Sequence, residues 1–401
     1  MYIPLMTLSC SGFRFGAVAT GIKKNGALDL AMMVSERPAS AAAVFTRNRV
    51  KAAPVVLSRA QLVRSGGKAR AVVVNSGNAN ACTGKTGAAD ARRMIELAGA
   101  AVGAPAAEVL VASTGVIGAP LPMERIESGM VALAPRIHAG GFDEFAQGIL
   151  TTDRGPKIAA RELELGGRPA SLIGCTKGAG MIAPDMATTL TFVACDAKVA
   201  PAPLHKMLAR ACAHTYNAIL VDGDTSTNDM ILLMASGGSG GGAVRGGDGR
   251  ALEDALTGLL DELARALMRD GEGVHHVVSV LVRGARNQRA ARLVARSIAR
   301  SPLVKTAIAG ADPNWGRVLA ACGNAGVPIK PERLSLWIDR IPIAAAGCAV
   351  DDPDAEPAAR AVMQRREYSM TVDLGNGDAE AHYLACDLSH EYVDINASYR
   401  S

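Results

Sequence analysis

TKGAGMIAPDMATTLTFVAC, residues 176–195, joins a glycine-rich, proline-containing loop directly to an apolar run that opens on Thr188 and Thr189. That run has the composition of a buried strand. A threonine delivered by a loop to the first position of such a strand can act as a nucleophile, provided that the chain is cut in front of it. The reason is basicity. An α-amino group titrates at about 7.7–8.0, whereas an amide nitrogen is not usefully basic, so cleavage before Thr188 would supply the hydroxyl with an adjacent base. In the uncut chain the Thr188 hydroxyl would attack the Ala187 carbonyl and exchange amide for ester, and hydrolysis of that ester would release two chains. The small side chain of Ala187 limits crowding at that carbonyl. On residues alone, a Thr-Thr pair at a strand start reads more simply as β-branched propensity.

Outward from this segment, short runs rich in Val and Ile alternate with longer helical patterns, which predicts a mixed α/β architecture. Strands are expected at 71–75, 108–113, 190–194, 219–222, 277–283 and 334–339. Helices are expected at 88–102, 252–269 and 287–300, each with apolar residues at three-to-four spacing. These helices should cover a sheet. The stretch GGSGGGAVRGGDG at 237–249 reads as a surface loop before a helix opening near Ala251. It lacks the lysine and Ser/Thr pair of a phosphate-binding P-loop.

Composition narrows the function classes. Of 401 residues 49% are hydrophobic and only 3% aromatic, so the core must be packed mainly from small and aliphatic side chains. Net charge is +5, but Lys and Arg are interspersed with acids, and few aromatics are available for base stacking, which argues against nucleic acid as a partner. The eight cysteines lie far apart with no CxxC pair, and the lone histidines form no ligand motif, so reduced thiols and no metal are expected. His275 and His276 cannot both project from one face of a strand. Neither a leader pattern nor a stretch of about 18–20 apolar residues occurs, so no membrane association and a cytoplasmic location are expected.

The segment 177–188, KGAGMIAPDMAT, resembles the processing site of the ornithine acetyltransferase family, the self-cleaving glutamate N-acetyltransferases of arginine biosynthesis. The resemblance runs in order along the whole chain. It includes GIKKNGALDLAMMVSERPASAAAVFTRNRVKAAPV at 21–55, VNSGNANACTG at 74–84, STGVIG at 113–118, TTD at 151–153 and DTSTND at 224–229. It continues through DGEG at 270–273, DPNWGR at 312–317 and YVDINASYRS at 392–401. Nine collinear blocks, counting the processing site, leave chance no room. Two positions depart from the family pattern: Asp185 stands where Asn is usual, and Thr189 where Met is usual. Thr189 is thereby a second candidate hydroxyl, although a cut after Thr188 would lose the register with Lys177.

The resemblance implies a layered α/β sandwich-type fold of the kind shared by self-cleaving N-terminal-nucleophile acetyltransferases and DmpA-like aminopeptidases. It also implies an α chain of residues 1–187 and a β chain of residues 188–401 that begins with the nucleophile Thr188. Acetyl would pass from N-acetylornithine to Thr188 and then to glutamate, with acetyl-CoA as a further donor in some members and no cofactor. Thr114 and Gly115 match the family's oxyanion pair, and their place just after an expected strand suits that role; the plainer reading is a glycine turn. Thr151, Lys177, Thr188, Glu272, Asn396 and Ser401 match the positions that hold the amino-acid substrate. An α-carboxylate and a cationic amine want an ammonium at one end and a carboxylate at the other, which Lys177 and Glu272 could supply. Read singly, Thr151 is a helix cap, Lys177 and Glu272 are loop polar groups, and Asn396 and Ser401 a frayed tail. A tail that ends on a matched position suggests that it folds over the site. The Asp-Pro-Asn of DPNWGR reads as a tight turn. The family's chains associate as heterotetramers of two α and two β chains. The competing classes are a related self-processing hydrolase or aminopeptidase, separated from a transferase by water exclusion, and a binding protein whose chain stays whole.

Overall fold

The structure, a computed structural model, describes residues 8–183 and 189–398. Ala187 and Thr188, with Asp185, and the terminal Ser401 therefore lie outside the described residues.

Two sheets organise the chain. The first contains β1 (Phe13–Val18), β2 (Leu30–Phe45), β3 (Lys68–Asn78), β4 (Val109–Val116), β5 (Lys157–Leu165), β6 (Arg168–Lys177), β7 (Leu190–Cys195) and β8 (Met230–Ala235). The second contains β9 (Val277–Ala285), β10 (Ser335–Ile338), β11 (Ile341–Ala345), β12 (Cys348–Ala349), β13 (Glu367–Asp373) and β14 (Ala379–Cys386). The helices are α1 (Ala53–Arg64), α2 (Gly84–Val102), α3 (Met123–Leu133), α4 (Phe142–Gly148), α5 (Pro201–His214) and α6 (Gly246–Arg269). They continue with α7 (Gln288–Arg300), α8 (Pro302–Ala309), α9 (Trp315–Gly323), α10 (Ala355–Met363) and α11 (His390–Ser398). Strand order is β4-β3-β2-β8-β7-β6-β5 in the first sheet, with β1 also on β2, and β12-β11-β10-β13-β9-β14 in the second.

The long β2 is the hub of the first sheet. Its first half pairs with β1 and β3, and its second half with β8. Its pairing with β3 breaks between Val34 and Ala39, where Glu36, Arg37 and Pro38 are exposed. Proline donates no ladder hydrogen bond, so it is tolerated at such an irregularity. Both faces of this sheet are covered. Leu256, Leu259, Leu260 and Leu263 of α6 pack on Leu172, Val193 and Leu233 on one side. On the other, the phenylalanines gather: Phe15 lies edge-on to Phe142 at 5.0 Å, and Phe145 to Phe192 at 5.3 Å. Five of the six phenylalanines are thus concentrated in one cluster, and small and aliphatic residues fill most of the remaining core. The second sheet has its own core with α7, α9 and α10. The cysteines are free thiols, all buried except Cys82 and Cys348.

The expected strands at 71–75, 108–113, 190–194, 277–283 and 334–339 and all three expected helices are present, with shifted ends. Two expectations fail. Residues 219–222 are not a strand: Ile219 forms one isolated bridge to Leu384, and the Val221 N–H donates to the Ile182 carbonyl. This apolar run is buried because it passes between the two sheets, so burial rather than pairing explains its composition. The glycine-rich run is a loop only in its first part, since α6 opens at Gly246 rather than near Ala251. Asp248 in the first turn complements the helix dipole, and the leucine stripe of α6 outweighs the glycine propensity cost of about 1 kcal/mol per residue.

Candidate active site

The strand ends at one edge of the first sheet bring the chemistry-bearing residues together. Near the end of β4, Thr114 and Gly115 lie beside Ser76 and Gly77 of β3. Gly115 has φ +130°, and a Cβ on it would stand 2.3 Å from the Gly77 carbonyl carbon and 2.5 Å from the Asn78 nitrogen. Only glycine fits at this close approach of the two strand ends. This corner is braced from a distance: Asn228 Nδ2 donates to the carbonyls of Ala79 and Ser113 at 2.6 and 2.8 Å, and Ser113 Oγ donates to Asn75 Oδ1 at 2.5 Å.

β6 ends on Lys177, opposite Leu190 of β7. The Lys177 ammonium is buried, 3.4 Å from Thr151 Oγ1. Burial pulls its pKa down, while Asp153 and Asp229 oppose the shift. Asp153 has a fully buried side chain, which accepts from Lys157 Nζ at 2.6 Å and from the Gly178 N–H at 2.7 Å. Burial pushes its carboxyl up, but the ammonium groups of Lys157 and Lys177 prevail and hold it at about 2. Lys157 also pairs with Asp270 at 2.5 Å. Removing one partner from such a buried network costs about 3–5 kcal/mol, so the loop carrying Thr151 is firmly fixed to β6 and to the end of α6.

Thr189, immediately before β7, donates its N–H to Asp229 Oδ1 at 2.9 Å. Its hydroxyl faces inward: it donates to the Lys177 carbonyl at 2.8 Å and lies 2.7 Å from Thr176 Oγ1, in a buried set that includes Thr191 and Tyr216. A hydroxyl so engaged is not open to a substrate, which removes Thr189 as the alternative nucleophile. Burial raises the Asp229 carboxyl well above the usual range, opposed by the Thr189 N–H and by the charge of Lys177.

Glu272 closes the opposite side. Its carboxylate accepts from Thr152 Oγ1 at 2.9 Å and from Asn396 Nδ2 at 3.1 Å, and its N–H donates to the Ala179 carbonyl. Asn396 lies on α11, so residues 390–398 form a helix that brings it to the site. One cleft is lined by Thr114, Gly115, Thr151, Lys177, Glu272 and Asn396 together. Every expected site residue that falls within the described chain is therefore in one place, whereas Thr188, Ala187 and Ser401 fall outside it.

The sequence reading missed Thr152, Asp153, Lys157, Ser226, Asn228 and Asp229. Several lie in the TTD and DTSTND blocks, but their partners are remote in sequence: Asn228 braces Ala79 across 149 positions. The DPNWGR block serves the second lobe. It makes the expected tight turn, with the Asn314 N–H donating to the Asp312 carbonyl at 2.7 Å, and Asn314 caps α9 by accepting from the Arg317 N–H. His275 and His276 face different partners, Glu391 and the Arg365 carbonyl.

The sequence model of the ArgJ family matches residues 14–401. The chain belongs to the ArgJ family. It is 46% identical over 398 residues to the arginine biosynthesis bifunctional protein ArgJ of Geobacter sulfurreducens, covering 98% of this chain and 100% of that protein. Among solved structures it is similar to that of the arginine biosynthesis bifunctional protein argJ from Bacillus halodurans, at 36% identity and a TM-score of 0.49, over 51% of this chain and 96% of that one. It is also similar to the ornithine acetyltransferase of Mycobacterium tuberculosis solved with ornithine, at 38% identity and a TM-score of 0.40, over 46% of this chain and 98% of that one. ArgJ membership accords with the layered α/β architecture and with an acyltransferase of arginine biosynthesis. Among the described residues no helix is long and apolar enough to cross a membrane.

Proposed function

We propose that the chain cuts itself between Ala187 and Thr188 and that Thr188 then carries acetyl from N-acetylornithine to L-glutamate. The observation that carries this reading is the single cleft that unites Thr114, Gly115, Thr151, Lys177, Glu272 and Asn396. Thr188 is bonded to Thr189, whose N–H is pinned by Asp229 next to Ser226 and Asn228 of the same cleft.

The freed α-amine of Thr188 takes the hydroxyl proton as Oγ attacks the acetyl carbonyl carbon. The tetrahedral oxyanion is held at Thr114 and Gly115, where each preorganised donor contributes roughly 2.7–4 kcal/mol. The C–N bond breaks, the α-ammonium returns its proton to the departing ornithine amine, and an acetyl ester remains on Thr188. Glutamate enters, its amine attacks the ester, and the same groups act in reverse. The Lys177 ammonium receives the substrate α-carboxylate, and Glu272 with Asn396 faces the far end of the substrate side chain. Acetyl-CoA is a second donor to Thr188 in this reading, no cofactor takes part, and Ser401 completes the substrate pocket. The α chain 1–187 and β chain 188–401 stay together as a heterotetramer of two of each in the cytoplasm.

Incubation with N-acetylornithine, with and without glutamate, tests the reaction. Transfer predicts N-acetylglutamate formed in step with ornithine; acetate released equally fast with and without glutamate identifies a hydrolase instead.

A further inference from the structure

We infer that Lys23 is a positioning residue for acyl transfer: its side-chain stem holds Gly77 against Gly115 and so fixes the oxyanion corner from behind. This role rests on the assignment of that corner to Thr114 and Gly115. Lys23 is not among the residues that line the cleft, so it acts through the strand end.

Lys23 belongs to the connection between β1 and β2, residues 19–29. Hairpin connections commonly need about two to five residues, and longer ones usually run over solvent. This one is tied down at its root by Asp29, which is wholly buried. Asp29 Oδ1 accepts from the Thr20 N–H at 2.7 Å and from the Thr20 hydroxyl at 2.8 Å, and Oδ2 accepts from the Lys23 N–H at 3.0 Å. Hydrogen bonds to a carboxylate are stronger than neutral ones, so the backbone from Thr20 to Lys23 is set. The carbonyl of Asp29 accepts from the Ser76 N–H at 2.8 Å, and the loop and the end of β3 thus share one anchor. α3 closes the other side: Arg125 donates to the Gly21 carbonyl, and a methyl group on Gly129 would stand 2.2 Å from Thr20 Cγ2.

So anchored, the loop bears on Gly77. That residue has φ +98°, and a Cβ on it would stand 3.0 Å from Ile22 Cγ2 and 3.2 Å from Lys23 Cγ. Gly77 also supplies the carbonyl carbon nearest to the place of a Cβ on Gly115. It therefore touches the loop and Gly115 at once, with no side chain of its own to hold it. Glycine is the residue whose backbone is freest to move, so a fixed geometry at this point has to be imposed by its neighbours. The Lys23 stem is suited to impose it, because its far end is held too: Nζ donates to the Leu28 carbonyl at 2.7 Å. Burial pulls the Lys23 pKa down to about 8, opposed by the charges of Asp29 and Asp153, as befits a lysine packed along its length rather than trailing in water. Lys24, the next residue, is exposed and provides the contrast.

Single-turnover acetylation by N-acetylornithine without glutamate tests this role, because it reads the rate constant separately from the fraction of competent sites. Lys23→Ala removes the stem, and its rate constant should fall about tenfold to a hundredfold, the scale of a misplacement approaching 1 Å, with the competent fraction and melting temperature retained. Lys23→Met keeps an unbranched stem without the charge and should restore the rate constant to within about threefold of the parent, and Lys24→Ala should match the parent. A lost competent fraction at an unchanged rate constant would show a merely structural role and overturn the inference. So would a rate constant for Lys23→Ala within about threefold of the parent, or Lys23→Met as slow as Lys23→Ala, which would assign the effect to charge. Gly115→Ala separates this role from the assignment beneath it. A collapse there with Lys23→Ala unaffected overturns the role of Lys23 alone, whereas both variants near the parent overturn the oxyanion assignment as well.

Discussion

Gly115→Ala isolates the oxyanion corner. The added Cβ would stand 2.3 Å from the Gly77 carbonyl carbon, 2.5 Å from the Asn78 nitrogen and 2.7 Å from the Gly77 Cα, all backbone atoms. Ordinary carbon contacts lie at about 3.5–4.0 Å, so one strand end must retreat by roughly 1 Å. A displacement of that size removes a preorganised donor, which costs about 2.7–4 kcal/mol, or roughly a hundred- to a thousandfold in kcat. The backbone strain itself is about 1–3 kcal/mol, less than the stability of a domain of about 5–15 kcal/mol, so the variant should fold. Gly118→Ala is the control. Gly118 also has positive φ (+80°), but nothing lies within 4 Å of the place a methyl group would take there, so strain is added without displacing the corner. Steady-state kinetics with N-acetylornithine and glutamate, normalised to the cleaved fraction by intact mass, should show kcat collapsing for Gly115→Ala with melting temperature largely retained, and kcat nearly unchanged for Gly118→Ala. A kcat within threefold of the parent for Gly115→Ala would refute the assignment of the oxyanion corner.

Three further outcomes follow from the same geometry. Glu272→Gln should raise KM for N-acetylornithine about tenfold, because a charged partner of the ornithine ammonium is lost, and leave KM for glutamate unchanged or lower; initial rates with each substrate varied separately read the split. Thr189→Val removes a hydroxyl from the buried set with Thr176 and Thr191, so it should lower stability by about 1–3 kcal/mol in denaturant melts while self-cleavage persists. Asp222 accepts from the Met181 N–H at 2.6 Å, and burial raises its carboxyl from the ordinary value to about 6. The folded state therefore holds that proton more tightly than the unfolded state does, an advantage present at pH below about 4 and lost as pH rises through 6. Thermal melts from pH 4 to 7 should show the parent losing stability relative to Asp222→Asn across that window.

Much of this architecture was legible because it rests on local pattern. Residues 190–194 and 277–283 are predominantly apolar runs rich in Val and became strands, and the leucine spacing of 252–269 gave α6 its covering face. Residues 219–222 misled for a physical reason: a buried connection between sheets has the same composition as a strand, and composition does not count hydrogen bonds. The helical opening at Gly246 was hidden because glycine propensity points the other way and only packing of the leucine stripe reverses it. At the site, Thr114, Gly115, Lys177 and Glu272 could be named through family blocks. The supporting groups could not, because Asp153, Asn228 and Asp229 act through partners that only the fold brings near. Thr189 shows the difference best. In sequence it is a second threonine beside the first; in the fold its hydroxyl is committed to Lys177 and Thr176.

The central claim is that the chain makes its own nucleophile, and intact mass spectrometry of the purified protein tests it most directly. Two chains are predicted, residues 1–187 and 188–401, the second with Thr188 at its N-terminus and gaining one acetyl group on brief exposure to N-acetylornithine without glutamate. A single full-length chain in the parent, uncut just as in Thr188→Ala, together with undiminished acetyl transfer by that variant, would contradict it.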